Sequence, residues 1–565
     1  MALSEETLER IRHARDLADV PHDNRLVEFK NIGELLLTRA SELGGEEFLV
    51  YLPDSGERQA FTYDEFYRRV CQTANFLKRC GIEKGERIAT VSQNHYDTVI
   101  QYFAAWLIGA VVVPLNASED EQRMKYILNN SETVLIFSRN PYLEKIQSIR
   151  PGLPLLREVV VTGEKAPGFL HFEEAWEEAE EYFSANVPLP NDESFIVYTS
   201  GTTGHPKGVV LSQYNLMVDS MNIAQWHKMA KGERMMCVLP LHHVNGTVVT
   251  IITPLYYGGS VALNEKFHTD QFFPHLASEQ VAVVSVVPTL LSFLLQGKVS
   301  TEDLDLSNFR HIICGAGPLT VDLAKSFQDY YRMRIIHGYG LSETTCYSCF
   351  LPPDLSESEH RSWMEDYGFP SIGVAIPANE MDIHGSNGQP AGEQERGEIV
   401  IRGHNVMLNY YRNDEANTDT FAHGWFRSGD EGFFQTGSDG RRYYFITGRI
   451  KELIIRGGVN VSPLEVDEVL MSISGVKAGV AVGFENNVYG EEVGAYVVLM
   501  PGVELTEEGI IDACREALPH HKCPKVVVFG EEIPVTSTGK YQRNKLKPLF
   551  SAYRDTQFRD ERHKR

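Results

Sequence analysis

The strongest constraint on the fold is a repeated alternation of two textures. Between residues 60 and 140, helical periodicity in "TYDEFYRRVCQTANFLKRC" alternates with the short apolar runs "RIATVSQ", "AVVVPLN" and "TVLIFS". Similar runs return as "VVVT", "MMCVLP", "VAVVSVV" and "HIIC". Apolar runs bounded by turn residues are buried on both faces, and helices between them make the strands parallel. The expected fold class is α/β: a large N-terminal domain of parallel-sheet layers with helices on both faces. Near 396–446 the texture becomes turn-rich and strand-alternating ("GEIVIRG", "GWFRSGDEGFF", "RRYYFITGR"), which predicts a small β-barrel-like part. After Lys451 a fresh α+β unit begins, with helices at "SPLEVDEVLMSI" and "TEEGIIDACREAL" around three strands. At 565 residues the chain exceeds one ordinary core. The expected domains are 1–450, with 1–30 a poorly defined lead-in, and 451–565, with a frayed tail at 551–565.

Composition narrows the partners. The 77 acidic residues against 53 Lys and Arg give a net charge of −24, which argues against nucleic-acid binding by bulk charge while leaving room for a local basic cleft. The longest apolar run, "AAWLIGAVVVPL", falls short of the roughly 18 residues a membrane span needs. It reads instead as a buried helix end turning through Gly109 into a strand. "MALSEETLERIRHARDL" is amphipathic and charged rather than a secretory leader, and eight scattered cysteines fit reduced thiols. A cytoplasmic location is the expectation. Cys346 and Cys349 form a lone CxxC with no second pair, a weak zinc pattern. The sequence leaves a homo-oligomer open.

The stretch "YTSGTTGHPKG" at Tyr198–Gly208 carries the chemistry. A loop rich in Gly, Ser and Thr lets backbone N–H groups converge, hydroxyls add donors, and Lys207 adds charge. "FIVYTS" reads as a strand, so the loop lies at a strand's C-terminal end, where α/β folds bind ligands. Phosphate is the natural guest. The loop is not a Walker motif, because Pro206 precedes the lysine and Gly208 follows it.

Four further stretches join it. "GYGLSETT" places Glu343 between hydroxyls, suited to Mg²⁺ beside a phosphate binder. "WFRSGDEG" presents Asp430 in a tight turn, suited to ribose hydroxyls. "TGRIKELIIRGGVNVSPLEVDEVL" combines Arg449 with the domain joint and a Gly-Gly pair, and "PVTSTGKYQRNKL" offers Lys540 on a loop. Seen singly, each is an ordinary turn, helix start or surface lysine. Together, in this order and at these separations, the five motifs resemble the adenylate-forming superfamily, which includes acyl- and aryl-CoA synthetases, adenylation domains of peptide synthetases and beetle luciferases. The resemblance runs from about residue 30 to 550.

The resemblance implies roles residue by residue. Thr199, Ser200, Gly201, Thr202, Thr203, Gly204 and Lys207 match the loop that cradles the β- and γ-phosphates of ATP. Tyr339 is similar to the aromatic residue that stacks on adenine. Gly315, Ala316, Gly317 and Pro318 match the segment lining adenine and acyl pocket; they are not a dinucleotide fingerprint, which fails at Thr320. Thr344 matches the α-phosphate donor, Glu343 the magnesium ligand, and Asp430 with Arg449 the ribose clamp. His243, with His242 one position away as the alternative, matches the residue shaping the acid site. Asn460 stands where relatives carry a polar or basic residue. Lys540 is implied as the catalytic cation, Lys451 as the hinge, and Gly457–Gly458 as the loop admitting a pantetheine arm. The implied reaction joins a carboxylic acid to coenzyme A through an acyl-AMP. No Asp or Glu occurs from Met235 to Asn264, which disfavours an amino acid. The apolar "HHVNGTVVTIITPLYYGG" favours a medium- or long-chain fatty acid, with aryl acids and carrier-protein loading as alternatives.

Overall fold

The computed structural model describes residues 3–18, 20–177, 179–183, 188–199, 205–535 and 541–558. Among these, two large sheets dominate. One has a parallel centre in the spatial order Ile335–Tyr339, His311–Cys314, Val281–Val286, Arg234–Cys237, Ser260–Asn264 and Glu47–Leu52. Antiparallel strands close its edges at Cys349–Phe350, Val374–Ala375 and Gln59–Thr62. The other runs parallel through Glu193–Thr199, Val111–Leu115, Arg87–Val91, Thr133–Arg139, Glu158–Thr162 and Leu170–His171, with Lys207–Ser212 and Asn409–Tyr410 antiparallel at one edge.

The apolar runs are strands because burial on both faces leaves no polar position to fill. Val281–Val286 is buried at every residue. The helix Tyr96–Ile108 ends at Gly109, whose φ of 76° supplies the left-handed cap, and the chain enters the strand Val111–Leu115 as expected. That helix and Gln213–Trp226 are buried on nearly every side, as helices within a layered interior must be. Both belong to one apolar core that also takes in Val248, Val249, Ile251 and Ile252 of the π-helical segment Asn245–Ile252.

Two expectations change. The strand-rich part is an open four-stranded antiparallel sheet, Asn379–His384, Gly397–Gly403, Phe426–Thr436 and Arg442–Arg449, rather than barrel-like. It begins before residue 396 because "NEMDIH" is too short and polar to announce a strand. Among the described residues, the lead-in also takes up regular structure. Ser4 caps the helix Glu5–Arg15, accepting from the Thr7 N–H at 3.1 Å, and Ile11 and Ala14 are buried. Downstream, the His404 Nε2–H donates to the Val20 carbonyl at 2.9 Å, so its Nδ1 accepts from the Tyr214 hydroxyl at 2.6 Å, which itself accepts from the Leu26 N–H at 3.1 Å.

From Ile454 onward the chain builds a sheet of its own in the order Val459–Val461, Ile454–Arg456, Gly490–Leu499 and Val476–Asn486, with Val526–Phe529 also beside Gly490–Leu499. The helices Pro463–Ser472 and Glu507–Ala517 cover one face through Val466, Leu470, Ile510 and Cys514. Phe550 covers the other, its ring 5.4 Å from that of Phe484. The Arg543 guanidinium is buried on Asp467, with Nη1 at 3.0 Å.

Several imidazoles are folded in as neutral groups. Burial lowers His22 to about 2, His311 to about 3, and His337 and His360 to about 4. Each has a folded pKa below its unfolded value, so below about pH 6.5 the unfolded chain binds protons the native state refuses. The stability cost is nil above that pH and grows by about 1.4 kcal/mol per pH unit for each such residue as pH falls towards the folded values. Thermal melting should therefore shift steeply downward from pH 7 to pH 5, and less steeply in His360→Gln. A midpoint that is flat across this window contradicts neutral burial.

Candidate active site

The site begins where the four-stranded sheet meets the parallel one. Asp430 does not sit in a tight turn as expected; it lies inside the strand Phe426–Thr436, within a register shift against Gly397–Gly403, opposite Arg449 on the neighbouring strand. The Ser428 hydroxyl accepts from its N–H at 3.0 Å. Tyr339, at the C-terminal end of its strand, donates from its hydroxyl to Asp430 Oδ2 at 2.7 Å. Burial and the Asp430 carboxylate hold the Tyr339 phenol far above its usual range, so it stays a donor. Arg449 Nε lies 3.0 Å from Oδ1 but off the hydrogen-bonding axis, and Oδ1 is buried without a hydrogen-bond donor. That oxygen fits a hydroxyl donor such as a ribose supplies, as a fully satisfied carboxylate would not.

Tyr410, which no motif in the sequence marks, ties the Gly/Thr loop's lysine to Glu343. Thr199 and Lys207 are paired across the antiparallel strands that enter and leave the Gly/Thr loop, so the loop leads into a strand rather than a helix. Ser200, Gly201, Thr202, Thr203 and Gly204 lie outside the described residues. Lys207 Nζ sits 4.8 Å from the centre of the Tyr410 ring. The Tyr410 hydroxyl donates to Glu343 Oε1 at 2.7 Å, so one tyrosine touches both the lysine and the carboxylate. The Met407 N–H donates to the Glu343 carbonyl at 2.8 Å and the Tyr411 N–H to the Gly208 carbonyl at 2.7 Å, fixing this segment between the two motifs.

Thr344 ends the short 3₁₀ turn Ser342–Thr344, and its hydroxyl accepts from the Leu341 N–H at 3.1 Å. The next residue, Thr345, has φ 66° and ψ −59°, and the Cys346 N–H donates to the Thr344 carbonyl at 2.8 Å. This is a γ-turn at a β-branched residue, a strained conformation held by the Thr345 hydroxyl donating to the Asn405 carbonyl at 2.7 Å. Ala316 is likewise at φ 62°, between Gly315 and Gly317. Cys346 and Cys349 are buried, and burial pushes both thiols up, away from the thiolate form that binds metals. His242 and His243 lie side by side with ring centres 4.4 Å apart. Burial lowers His242 far below its usual range, and its Nε2 is buried without a hydrogen-bond partner.

A cleft of about 490 Å³ separates this wall from the C-terminal unit. Ala316, Gly317, Pro318, Tyr339, Asp430 and Arg449 line one side. Glu452, Val535, Tyr541 and Arg543 line the other. Lys540 lies outside the described residues, between Val535 and Tyr541. Gly457 and Gly458, at φ 58° and 85°, form the turn of the hairpin joining Ile454–Arg456 to Val459–Val461; they and Asn460 are exposed and do not line this cleft. Lys451 is exposed in the 3₁₀ turn Ile450–Glu452 that follows Arg449. One contact across the units had no sequence signal: both carboxylate oxygens of Glu468 accept from the Val321 N–H, at 3.1 and 3.2 Å, at the start of the helix Val321–Tyr331, and burial pushes Glu468 up to about 8.

The AMP-binding enzyme family matches residues 36–411, and the AMP-binding enzyme C-terminal domain matches residues 465–540. The chain is 30% identical over 519 residues to a sulfoacetate–CoA ligase of Cupriavidus necator, covering 92% of this chain and 97% of that one. It is 30% identical over 534 residues to a long-chain-fatty-acid–CoA ligase of Mycobacterium tuberculosis, covering 93% and 99%. The ATP-bound structure of MatB from Rhodopseudomonas palustris superimposes with a TM-score of 0.81 at 26% identity, over 92% of this chain and 99% of that one. The motifs, the two-sheet architecture and these matches agree: the chain belongs to the AMP-binding enzyme family and is an AMP-forming, ATP-dependent acid–CoA ligase.

Proposed function

We propose that the reaction runs in the cleft between two units, 1–450 and 451–565, with the residues placed as follows. The observation that carries the reading is the Tyr339–Asp430–Arg449 group on one wall, facing the residues that flank Lys540 on the other. Asp430 takes the ribose hydroxyls of ATP, and the segment Gly315–Pro318 with Tyr339 takes adenine. Thr199–Gly204 and Lys207 hold the β- and γ-phosphates, and Thr344 donates to the α-phosphate. A magnesium ion bound by Glu343 and the phosphates would neutralise phosphate charge; one carboxylate plus substrate oxygens suits its preference for few protein ligands.

In the first step a carboxylate oxygen of the acid attacks the α-phosphorus, and pyrophosphate leaves with the electrons of the broken P–O bond. Two anions must approach, so catalysis rests on prepositioned positive charge, which Lys540 supplies at the carboxylate and α-phosphate. In the second step the sulfur of CoA bonds to the acyl carbon, AMP leaves as the phosphate anion, and the thiol proton passes to solvent. A rotation about Lys451 would withdraw Lys540 and bring the Gly457–Gly458 hairpin to the cleft, where absent side chains leave room for pantetheine.

The acid lacks a cationic group on this reading. Besides the missing anion in 235–264, the buried Asp219 carboxyl near this region is pushed well above its usual range by burial and already accepts from the Tyr347 N–H at 3.2 Å. The two ligases named above are a sulfoacetate–CoA ligase and a long-chain-fatty-acid–CoA ligase, so kinship alone does not choose the acid. The apolar residues of "HHVNGTVVTIITPLYYGG" do not single out a fatty acid, because Val248, Val249, Ile251, Ile252 and Leu255 are core residues.

Lys540→Ala should abolish pyrophosphate release from acid and ATP while leaving thioester formation from supplied acyl-adenylate and CoA within a few-fold; equal loss of both half-reactions contradicts the division. Tyr410→Phe keeps the ring beside Lys207 but removes the hydrogen bond to Glu343. It should raise the Mg²⁺ concentration needed for half-maximal adenylation by about tenfold, the scale of one hydrogen bond to a charged group, with the melting temperature little changed. An unaltered Mg²⁺ titration removes Tyr410 from the site.

A further inference from the structure

The helix Glu121–Asn130 stands beside the root of the Gly/Thr loop, and its own sequence puts it there. Asp120 caps it, accepting from the Arg123 N–H at 2.8 Å, and Met124, Ile127 and Leu128 form its buried face. They pack in one apolar cluster with Ile196 and Val210, which lie on the strands that enter and leave the loop. Tyr126 and Asn130, four residues apart along one side of the helix, each hold a different arm.

On the entering arm, the Tyr198 hydroxyl donates to Asn130 Oδ1 at 2.6 Å. Tyr198 pairs with Gly208 across the two strands, and a methyl group added at Gly208 would lie 3.0 Å from Tyr198 Cζ, so the ring rests on backbone bare of a side chain. On the leaving arm, the His205 imidazole stacks on the Tyr126 ring, with centres 4.3 Å apart and planes 11° from parallel. His205 is exposed, so the core does not demand this contact. It reaches Lys207 through the buried Pro206. A residue before proline is confined to extended backbone, and proline fixes its own φ, so pinning the His205 ring pins the backbone that carries Lys207. Four residues along a helix rise about 6 Å, close to the roughly 5 Å between paired strands. One helix turn therefore matches the spacing of the two arms.

We propose that the Tyr126–His205 stack is a positioning device for the outer phosphates of the nucleotide, holding Lys207 where the β- and γ-phosphates bind. An arm free to move must be ordered when the triphosphate arrives, and that ordering is subtracted from affinity; a stacked arm loses less. The AMP part gains nothing from it, because Asp430 and Gly315–Pro318, read as the ribose and adenine holders, belong to the other sheets. The inference rests on the reading of this loop as the phosphate holder and adds two residues to which that reading gives no role.

The test needs no acid: calorimetric binding of Mg-ATP, pyrophosphate and AMP to the full chain. His205→Ala should raise Kd for ATP and pyrophosphate about fivefold, the scale of one aromatic pair, with Kd for AMP and the melting temperature little changed. Tyr126→Ala should do the same, and the double variant should be no weaker than either single one, since both remove a single interaction. His205→Phe, which keeps a ring to stack, should bind ATP as wild type does. His205→Lys, which supplies charge without a ring, should be as weak as His205→Ala. If Tyr126→Ala does not fold, the three His205 variants decide alone. Unchanged ATP affinity in His205→Ala overturns the proposal, as does His205→Lys binding like wild type while His205→Phe does not. Equal losses of ATP and AMP in the alanine variants also overturn it, because they report a general loosening of the fold. A wild-type chain that binds neither ATP nor AMP overturns the nucleotide reading instead.

Discussion

A carboxylate taken out of water must be held by donors or it destabilises whatever encloses it, and Asp430 is 1% exposed. Its two stabilising groups come from different parts of the chain: the Tyr339 hydroxyl from the parallel sheet, and the Arg449 guanidinium from the adjacent antiparallel strand. Removing one partner of a buried charged group costs about 3–5 kcal/mol, far more than the pair contributes by itself. That asymmetry ties the end of the parallel sheet to the antiparallel one at the cleft. One oxygen of the carboxylate remains without a hydrogen-bond donor.

A second brace runs through residues 405–411. Asn405 holds Thr345 and Tyr347, Met407 holds Glu343, and Tyr410 reaches both Glu343 and Lys207. The strained γ-turn at Thr345 persists because this segment over-determines it. Thr344, on one side of the turn, and Tyr347, on the other, are positioned by the same few hydrogen bonds, so the two residues cannot shift independently.

The parallel sheets were legible because apolar runs and helical periodicity alternate in "RIATVSQ", "AVVVPLN" and "TVLIFS", and the turn at Gly109 was legible because only glycine suits that conformation cheaply. The family was legible through glycines, hydroxyls and charges in a fixed order. What stayed hidden depends on distant partners. The lead-in reads as undefined until Tyr214 and His404 are seen holding Leu26 and Val20, and Glu468 reads as one more helix carboxylate until Val321 meets it. Tyr410 in "LNYYRN" carries no local pattern that separates it from core aromatics. Asp430 was found by its motif but placed in the wrong element, since "RSGDEG" suggests a turn where the sheet carries an irregular strand.

The central claim is that the α-phosphorus of ATP accepts a carboxylate oxygen in the cleft beside Asp430, before any thiol is involved. Exchange of labelled pyrophosphate into ATP by the wild-type chain measures that step directly. The account predicts exchange that requires a carboxylic acid and proceeds without CoA. Exchange that appears only when CoA is present, or label that never enters ATP with any acid, contradicts it.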